Sequence, residues 1–183
     1  MSAPPRSDHE LIAAHRDGDR RAFDELVRRH GDRMWAVAIR TLRQSDDAAD
    51  AVQEALVSAY RRIDGFRGDA AVATWLHRIL VNICIDRLRR ERVRHTVPWP
   101  ERDVPDRRGD PVGEVATRID VDEALALLSV DQRLAIELVD VQGWSVADAA
   151  TILQVAPGTV KSRCARGRLR LARLLGHLRE GER

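Results

Sequence analysis

Only two cysteines occur in the 183 residues, Cys84 and Cys164, far apart and in neither a CxxC pair nor a Cys/His cluster. That spacing argues against a disulfide framework and against a structural zinc site. Aromatic residues make up just 4% of the chain, and no run of alternating apolar and polar residues lasts long enough to predict a sheet. No apolar stretch approaches the roughly 20 residues that cross a bilayer, and residues 1–16 lack the apolar core of a secretion signal. These absences lead to an all-α, cytoplasmic protein with no metal and no cofactor.

What is present is a 44% hydrophobic fraction, chiefly Ala, Val, Leu and Ile, enough to bury the core of one ordinary domain or two small ones. The net charge of +2 conceals an uneven distribution. Asp46, Asp47, Asp50 and Glu54 form an acidic block, whereas residues 87–94 and 161–173 are basic.

Residues 8–94 have helical spacing almost throughout, with Phe23, Leu26, Val27, His30 and Met34 forming a buried stripe. The pattern then stops. Pro98, Pro100, Pro105, Pro111, two glycines, Glu101, Asp103, Asp106 and Asp110 make residues 96–114 a flexible linker with little to bury. Two small helical domains are therefore expected, 1–95 and 115–183. Within the second, Ser129 with Gln132 and Ser145 with Asp148 are start signals, predicting helices over 115–128, 130–141, 146–153 and from Pro157 onward.

A short helix, a turn of Gln154, Val155 and Ala156, and a long basic helix have the sequence form of a helix-turn-helix, whose second helix enters the major groove of DNA. At 100° per residue, Val160, Cys164, Gly167, Leu171 and Leu175 share a packing side. Lys161, Ser162, Ala165, Arg166, Leu169 and Arg173 share the other. Lysine and arginine donate to guanine, serine bonds base or phosphate, and Ala165 leaves room for a base edge. Arg163 and Arg170 flank this face and suit phosphates. An arginine run alone is usually a solvated face, and it is the preceding helix and turn that favour recognition here. Cys164, on the packing side, reads as a small buried residue rather than a redox centre.

In the acidic helix, Ala49, Val52, Leu56, Ala59, Tyr60 and Ile63 are predicted to form the apolar face. Asp47, Asp50 and Glu54 lie opposite, flanked by Gln53 and Val57. Like charges three and four apart repel, so a basic partner surface is expected. Asp46, Asp47 and Asp50 also match a bare DDxxD pattern used by some terpenoid synthases to hold magnesium. That reading lacks a second carboxylate cluster and a long apolar pocket. After Gly65 to Asp69 comes a long helix with Arg78, Asn82, Ile85 and Arg89 on one face and Trp75 at its start. Aromatic, amide and basic groups together suit an unstacked strand, although Trp75 taken alone is at least as good a core anchor. His77 and His95 have no ligand-spaced partners.

These parts in this order resemble the extracytoplasmic-function sigma factors, two-domain bacterial transcription initiation factors, over almost the whole chain. The resemblance is carried by residues 46–66 (DDAADAVQEALVSAYRRIDGF), 66–90 (FRGDAAVATWLHRILVNICIDRLRR) and 144–170 (WSVADAATILQVAPGTVKSRCARGRLR). The last stretch and VNICIDRLRR look closest to the actinobacterial SigM-like branch. The resemblance implies that Asp47, Asp50, Gln53 and Glu54 dock on the clamp coiled coil of the largest subunit of core RNA polymerase, with a further contact to the flap of the second-largest subunit. It implies that the loop 65–73, with Phe66 and Arg67, and the following helix, with Trp75, Arg78, Asn82 and Arg89, bind the non-template strand of the minus-10 element and hold a flipped base near Asn82. Capturing an unstacked base favours the opened duplex, so melting needs no ATP. Thr159, Lys161, Ser162, Arg163 and Arg166 would read the minus-35 element, and the acidic linker would run through the polymerase active-site and RNA-exit region. An anti-sigma factor, often membrane-held, is implied as the controlling partner. Ala165 stands where some relatives carry a larger side chain, so base preference does not carry over there.

The main rival is a stand-alone helix-turn-helix regulator, which would need a dimerisation, ligand or phosphorylation module. The N-terminal half offers an acidic docking face and a basic strand-binding helix instead. No catalytic residue is expected.

Overall fold

The computed structural model describes residues 6–96 and 121–176. The linker at 96–114, the start of the helix expected from residue 115, and residues 177–183 lie wholly or mostly outside the described residues. Among the described residues every regular element is helical: α1 Asp8–Arg16, α2 Arg20–Leu42, α3 Ser45–Arg62, α4 Val72–Thr96, α5 Val121–Ala126, α6 Val130–Ile136, α7 Val146–Leu153 and α8 Pro157–Leu174. A single 3-10 turn, Ile63–Gly65, follows α3, and a π-helical turn, Glu137–Val141, extends α6.

Local chemistry sets the helix starts. Ser7 caps α1 in a reciprocal box, its hydroxyl accepting from the Glu10 N–H while the Glu10 carboxylate accepts from the Ser7 N–H at 2.6 Å. Asp19 caps α2, and Ser129 and Ser145 cap α6 and α7 as their spacing predicts. Pro157 opens α8, where its missing N–H leaves no helical bond unmade.

Helices α1 to α4 form the first unit. Its core takes Leu26, Met34, Val37 and Ala38 from α2 and Leu76, Leu80, Val81 and Cys84 from α4. From α3 it takes only Ala48, Ala51, Ala55 and Ala59. This alanine stripe corrects the expected face in part: Ala59 and Ile63 are buried as expected, but Ala49 and Tyr60 are exposed, and Val52 and Leu56 sit at the margin. Small side chains let α2 and α4 approach α3 closely, so contact follows the alanines rather than the larger residues.

Helices α5 to α8 form the second unit around Leu134, Leu138, Ala149, Ile152, Val160 and Cys164. Gly167 shows why α8 lies so near α6. A Cβ placed there would stand 2.9 Å from Ile136 Cγ1, closer than carbon atoms tolerate.

The two units pack directly on each other, α4 against α7 and α2 against α6 with its π turn. Their buried side chains join one continuous apolar cluster.

Candidate protein-docking and nucleic-acid faces

On α3, Asp47, Asp50 and Glu54 line up three and four residues apart, with Gln53 exposed beside them. The basic group that relieves their repulsion comes from within the chain. Arg87 of α4 reaches Glu54 Oε2 at 3.0 Å, Asp50 Oδ2 at 3.8 Å and Asp47 Oδ1 at 4.0 Å. One guanidinium against three carboxylates leaves the face negative, and all three carboxylates stay half exposed. Arg87 thus relieves the repulsion only in part, and the surplus charge is what an external basic surface would meet. A fixed cation already sits beside two members of the DDxxD pattern. Among the described residues no group of three or more His, Cys, Asp or Glu is arranged to hold a metal ion.

The loop after the 3-10 turn is pinned by a residue that the sequence reading missed. The Arg16 guanidinium donates to the carbonyls of Ile63 at 2.7 Å, Asp64 at 3.1 Å and Phe66 at 2.6 Å. An arginine ending a short N-terminal helix gives no sequence cue to partners nearly 50 positions on. Gly65, Phe66, Arg67, Gly68, Asp69 and Ala70 then curl into a hollow of about 290 Å³ with Trp75 and Arg78, and Gly68 takes φ +80 where side chains are strained. Phe66 meets Trp75 and His9 in tilted ring contacts, with centroids 5.1 Å and 5.7 Å apart.

Trp75 is only 8% exposed. That burial fits the core-anchor reading, and the Trp75 edge walls the hollow. Beyond it a second groove, about 520 Å³, is lined by Arg78, Ile79, Asn82, Ile83 and Asp86 of α4 with Glu54, Ser58 and Arg62 of α3 and Gln154 of the helix-turn-helix. Asn82 is exposed in it. Ser58 and Arg62 were also missed, although their spacing of four after Glu54 puts them on the same edge of α3. Ile85 and Arg89, expected on the face of Asn82, instead border a separate hollow with Val130 and Asp131, and Arg89 lies 3.6 Å from Asp86. Three helical turns separate Arg78 from Arg89, roughly 16 Å along the axis, so the two ends of one row meet different neighbours.

In the helix-turn-helix, Gln154 closes α7 in the left-handed conformation at φ 54. Val160, Cys164 and Gly167 of α8 are buried and Leu171 is partly so, the packing side read from periodicity. Lys161, Ser162, Ala165, Arg166, Leu169, Arg170 and Arg173 are exposed, and Thr159 is half-buried. Ser162 donates to the Thr159 carbonyl at 3.0 Å, and Arg166 folds back on the Ser162 carbonyl at 3.3 Å. The Arg163 guanidinium donates to Asp131 of α6 at 2.7 Å and is mostly covered. Arg168 is held likewise by Asp140 at 2.6 Å.

Burial pushes the Cys84 thiol up to about 12 and raises that of Cys164, so neither is a thiolate at neutral pH. No helix among the described residues is long and apolar enough to cross a membrane.

Residues 26–94 match the family described as Sigma-70 region 2, and residues 118–171 match Sigma-70, region 4. The chain is 54% identical to the ECF RNA polymerase sigma factor SigM of Mycobacterium tuberculosis, over 96% of this chain and 88% of that one. Among solved structures it resembles CnrH in complex with the cytosolic domain of CnrY, at TM-score 0.70 and 28% identity, covering 94% of this chain and 99% of that one. It also resembles the sigma factor RpoE of Bartonella quintana in complex with the anti-sigma factor NepR, at TM-score 0.66 and 32% identity over 84% and 96%.

Proposed function

Because the chain belongs to the extracytoplasmic-function sigma factors, alternative initiation factors of bacterial transcription, and within them is SigM-like, we propose a division of labour among its three faces. The α3 carboxylates Asp47, Asp50 and Glu54, with Gln53, dock on the clamp coiled coil of core RNA polymerase, and the helix-turn-helix unit meets the flap. The groove of Arg78 and Asn82, continued by Phe66 and Arg67, takes the non-template strand of the minus-10 element. Face α8, through Lys161, Ser162 and Arg166 with Thr159 beside them, reads the minus-35 duplex. We set the domains at 1–95 and 115–183, with the cytoplasm as the place of action and no catalytic site.

The observation that carries this reading is the groove at Asn82. It joins an exposed amide, two guanidiniums and a serine hydroxyl beside an aromatic edge, with the Glu54 and Asp86 carboxylates also in its lining, and the amide and guanidiniums suit a base edge and its phosphates. A base held there is removed from the duplex stack, so binding energy itself favours the melted state. Asn82→Ala should therefore weaken open-complex formation, read as permanganate reactivity of promoter thymines, while leaving retention on core polymerase unchanged. Equal melting by the variant would rule out base capture at this groove. The chain is held in check by an anti-sigma factor, as the complexes of CnrH with CnrY and of RpoE with NepR support.

A further inference from the structure

The loop that closes the hollow against Trp75 and Arg78 has little of its own to hold it. Among the described residues, no backbone-to-backbone hydrogen bond outside the helices involves residues 67–70. Gly68 adds no side chain to pack. A segment with so few internal ties changes shape at small cost unless something outside it supplies the restraint.

The restraint comes from α1. Leu11 and Ile12 are buried in the core, and Asp8 is tied to Arg29 at 3.0 Å and to His30 at 2.8 Å on α2, so α1 is a fixed rod. Two of its residues seven positions apart, and so on one face, reach the loop. The His9 ring lies beside Phe66, and its Cε1 stands 3.8 Å from where a Gly68 Cβ would be. Arg16 spends two nitrogens on the start of the loop: Nη2 donates to the Ile63, Asp64 and Phe66 carbonyls, and Nε adds a bond to Ile63 at 3.2 Å. Carbonyls just past a helix end are short of donors, which is the need this guanidinium meets. Arg16 is otherwise exposed, so it contributes little to the core.

Resting on the functional reading above, we infer that α1 sets base selectivity at the minus-10 element: Arg16, aided by His9, is a positioning residue that holds loop 65–70 in one shape around the captured base. A site on a loop discriminates among bases only while its donors, acceptors and walls stay fixed, since a loop that adapts offers each base a passable fit. The planar fork of an arginine spans several carbonyls at once, whereas a lysine ammonium is a single point on a flexible stem. The rival role for an exposed arginine beside a strand-binding groove is a phosphate contact. Such a contact adds affinity evenly across sequences, and lysine also serves it.

The test uses holoenzyme reconstituted from the full chain and core polymerase, on a genomic promoter fragment that it opens, with each minus-10 position set in turn to all four bases. Rates of open-complex formation should show wild type preferring one base at the captured position by on the order of tenfold or more. Arg16→Ala should compress that preference to about threefold or less, and Arg16→Lys should resemble it, while minus-35 duplex binding and retention on core enzyme stay at wild-type levels. In the free chain, the amides of residues 66–70 should exchange with solvent faster in both variants. If Arg16→Ala reduces helical circular dichroism, Arg16→Lys carries the test. Undiminished preference, unchanged exchange, or a uniform slowing with every base that lysine restores would each overturn the positioning role. A wild type that opens no promoter at all would instead overturn the functional reading, and this role with it.

Discussion

Arg87 of α4 and Glu54 of α3 lie 3.0 Å apart, and through that contact one cation is shared among three carboxylates on the face proposed to meet polymerase. The pairs are solvent-exposed on the acidic side, so their worth is that of surface ion pairs. Arg87→Ala should lower stability by about 0.5–1 kcal/mol in low salt, and the difference should shrink as ionic strength rises. Chemical denaturation at two salt concentrations checks it. A large, salt-independent loss would mean that the arginine stem packs rather than pairs.

Gly167 and Ile136 give a prediction about packing. Gly167→Ala inserts a methyl 2.9 Å from a buried Ile136 side chain, and the expected cost is about 1–3 kcal/mol. Ile136→Ala should also destabilise, by opening a cavity, yet the double variant should be less damaged than the sum of the two. A double-mutant cycle by urea denaturation reads the coupling. Strict additivity would contradict the close approach of α6 and α8.

On α8 the two neighbouring arginines should behave differently. Arg166 is exposed and free of any carboxylate contact among the described residues, whereas Arg163 is committed to Asp131. Arg166→Ala should cost about 1–3 kcal/mol of duplex binding if it meets a base, or reduce the salt slope by about one if it meets a phosphate. Arg163→Ala should chiefly lower stability. Fluorescence anisotropy on promoter duplex, run beside thermal melting, separates the two. Equal binding losses with unchanged stability would contradict the assignment.

How far the sequence alone reached is plain at these positions. Buried Val160, Cys164 and Gly167 follow from helical period, and the Ser129 and Ser145 caps from local spacing, because both depend on near neighbours in the chain. The acidic row and Asn82 were legible for the same reason. The partners of Arg16, Arg87 and Arg163 were not, since each ion pair or carbonyl contact joins helices distant in sequence. Nor does periodicity distinguish an alanine face from a leucine face when the small residues are the ones that let helices close up.

Acid should loosen the protein through His77, which burial pushes down to about 4, with its contact to the Ala73 carbonyl opposing and nearby Arg33 and His30 assisting. An imidazole ordinarily near 6.5 takes up protons in the unfolded chain before it does so in the native one. Its stabilising contribution is thus complete above pH 6.5 and lost as pH falls towards 4, about 2 kcal/mol of it between pH 7 and pH 5. Glu137, raised chiefly by burial, acts in the opposite sense as pH falls and offsets part of this. Denaturation of wild type and His77→Leu at the two pH values checks the sign: the wild type should lose more. An identical pH dependence would remove His77 from the account.

The central claim, that this chain confers promoter choice on core polymerase, is tested most directly by reconstitution. Purified chain mixed with core enzyme should co-elute as a stoichiometric complex and start transcripts from genomic fragments sharing a common pair of upstream elements. Asp50→Arg with Glu54→Arg should abolish both while leaving the helical fold intact. If instead the chain bound a promoter duplex tightly as a lone dimer and never associated with core enzyme, the claim would be contradicted.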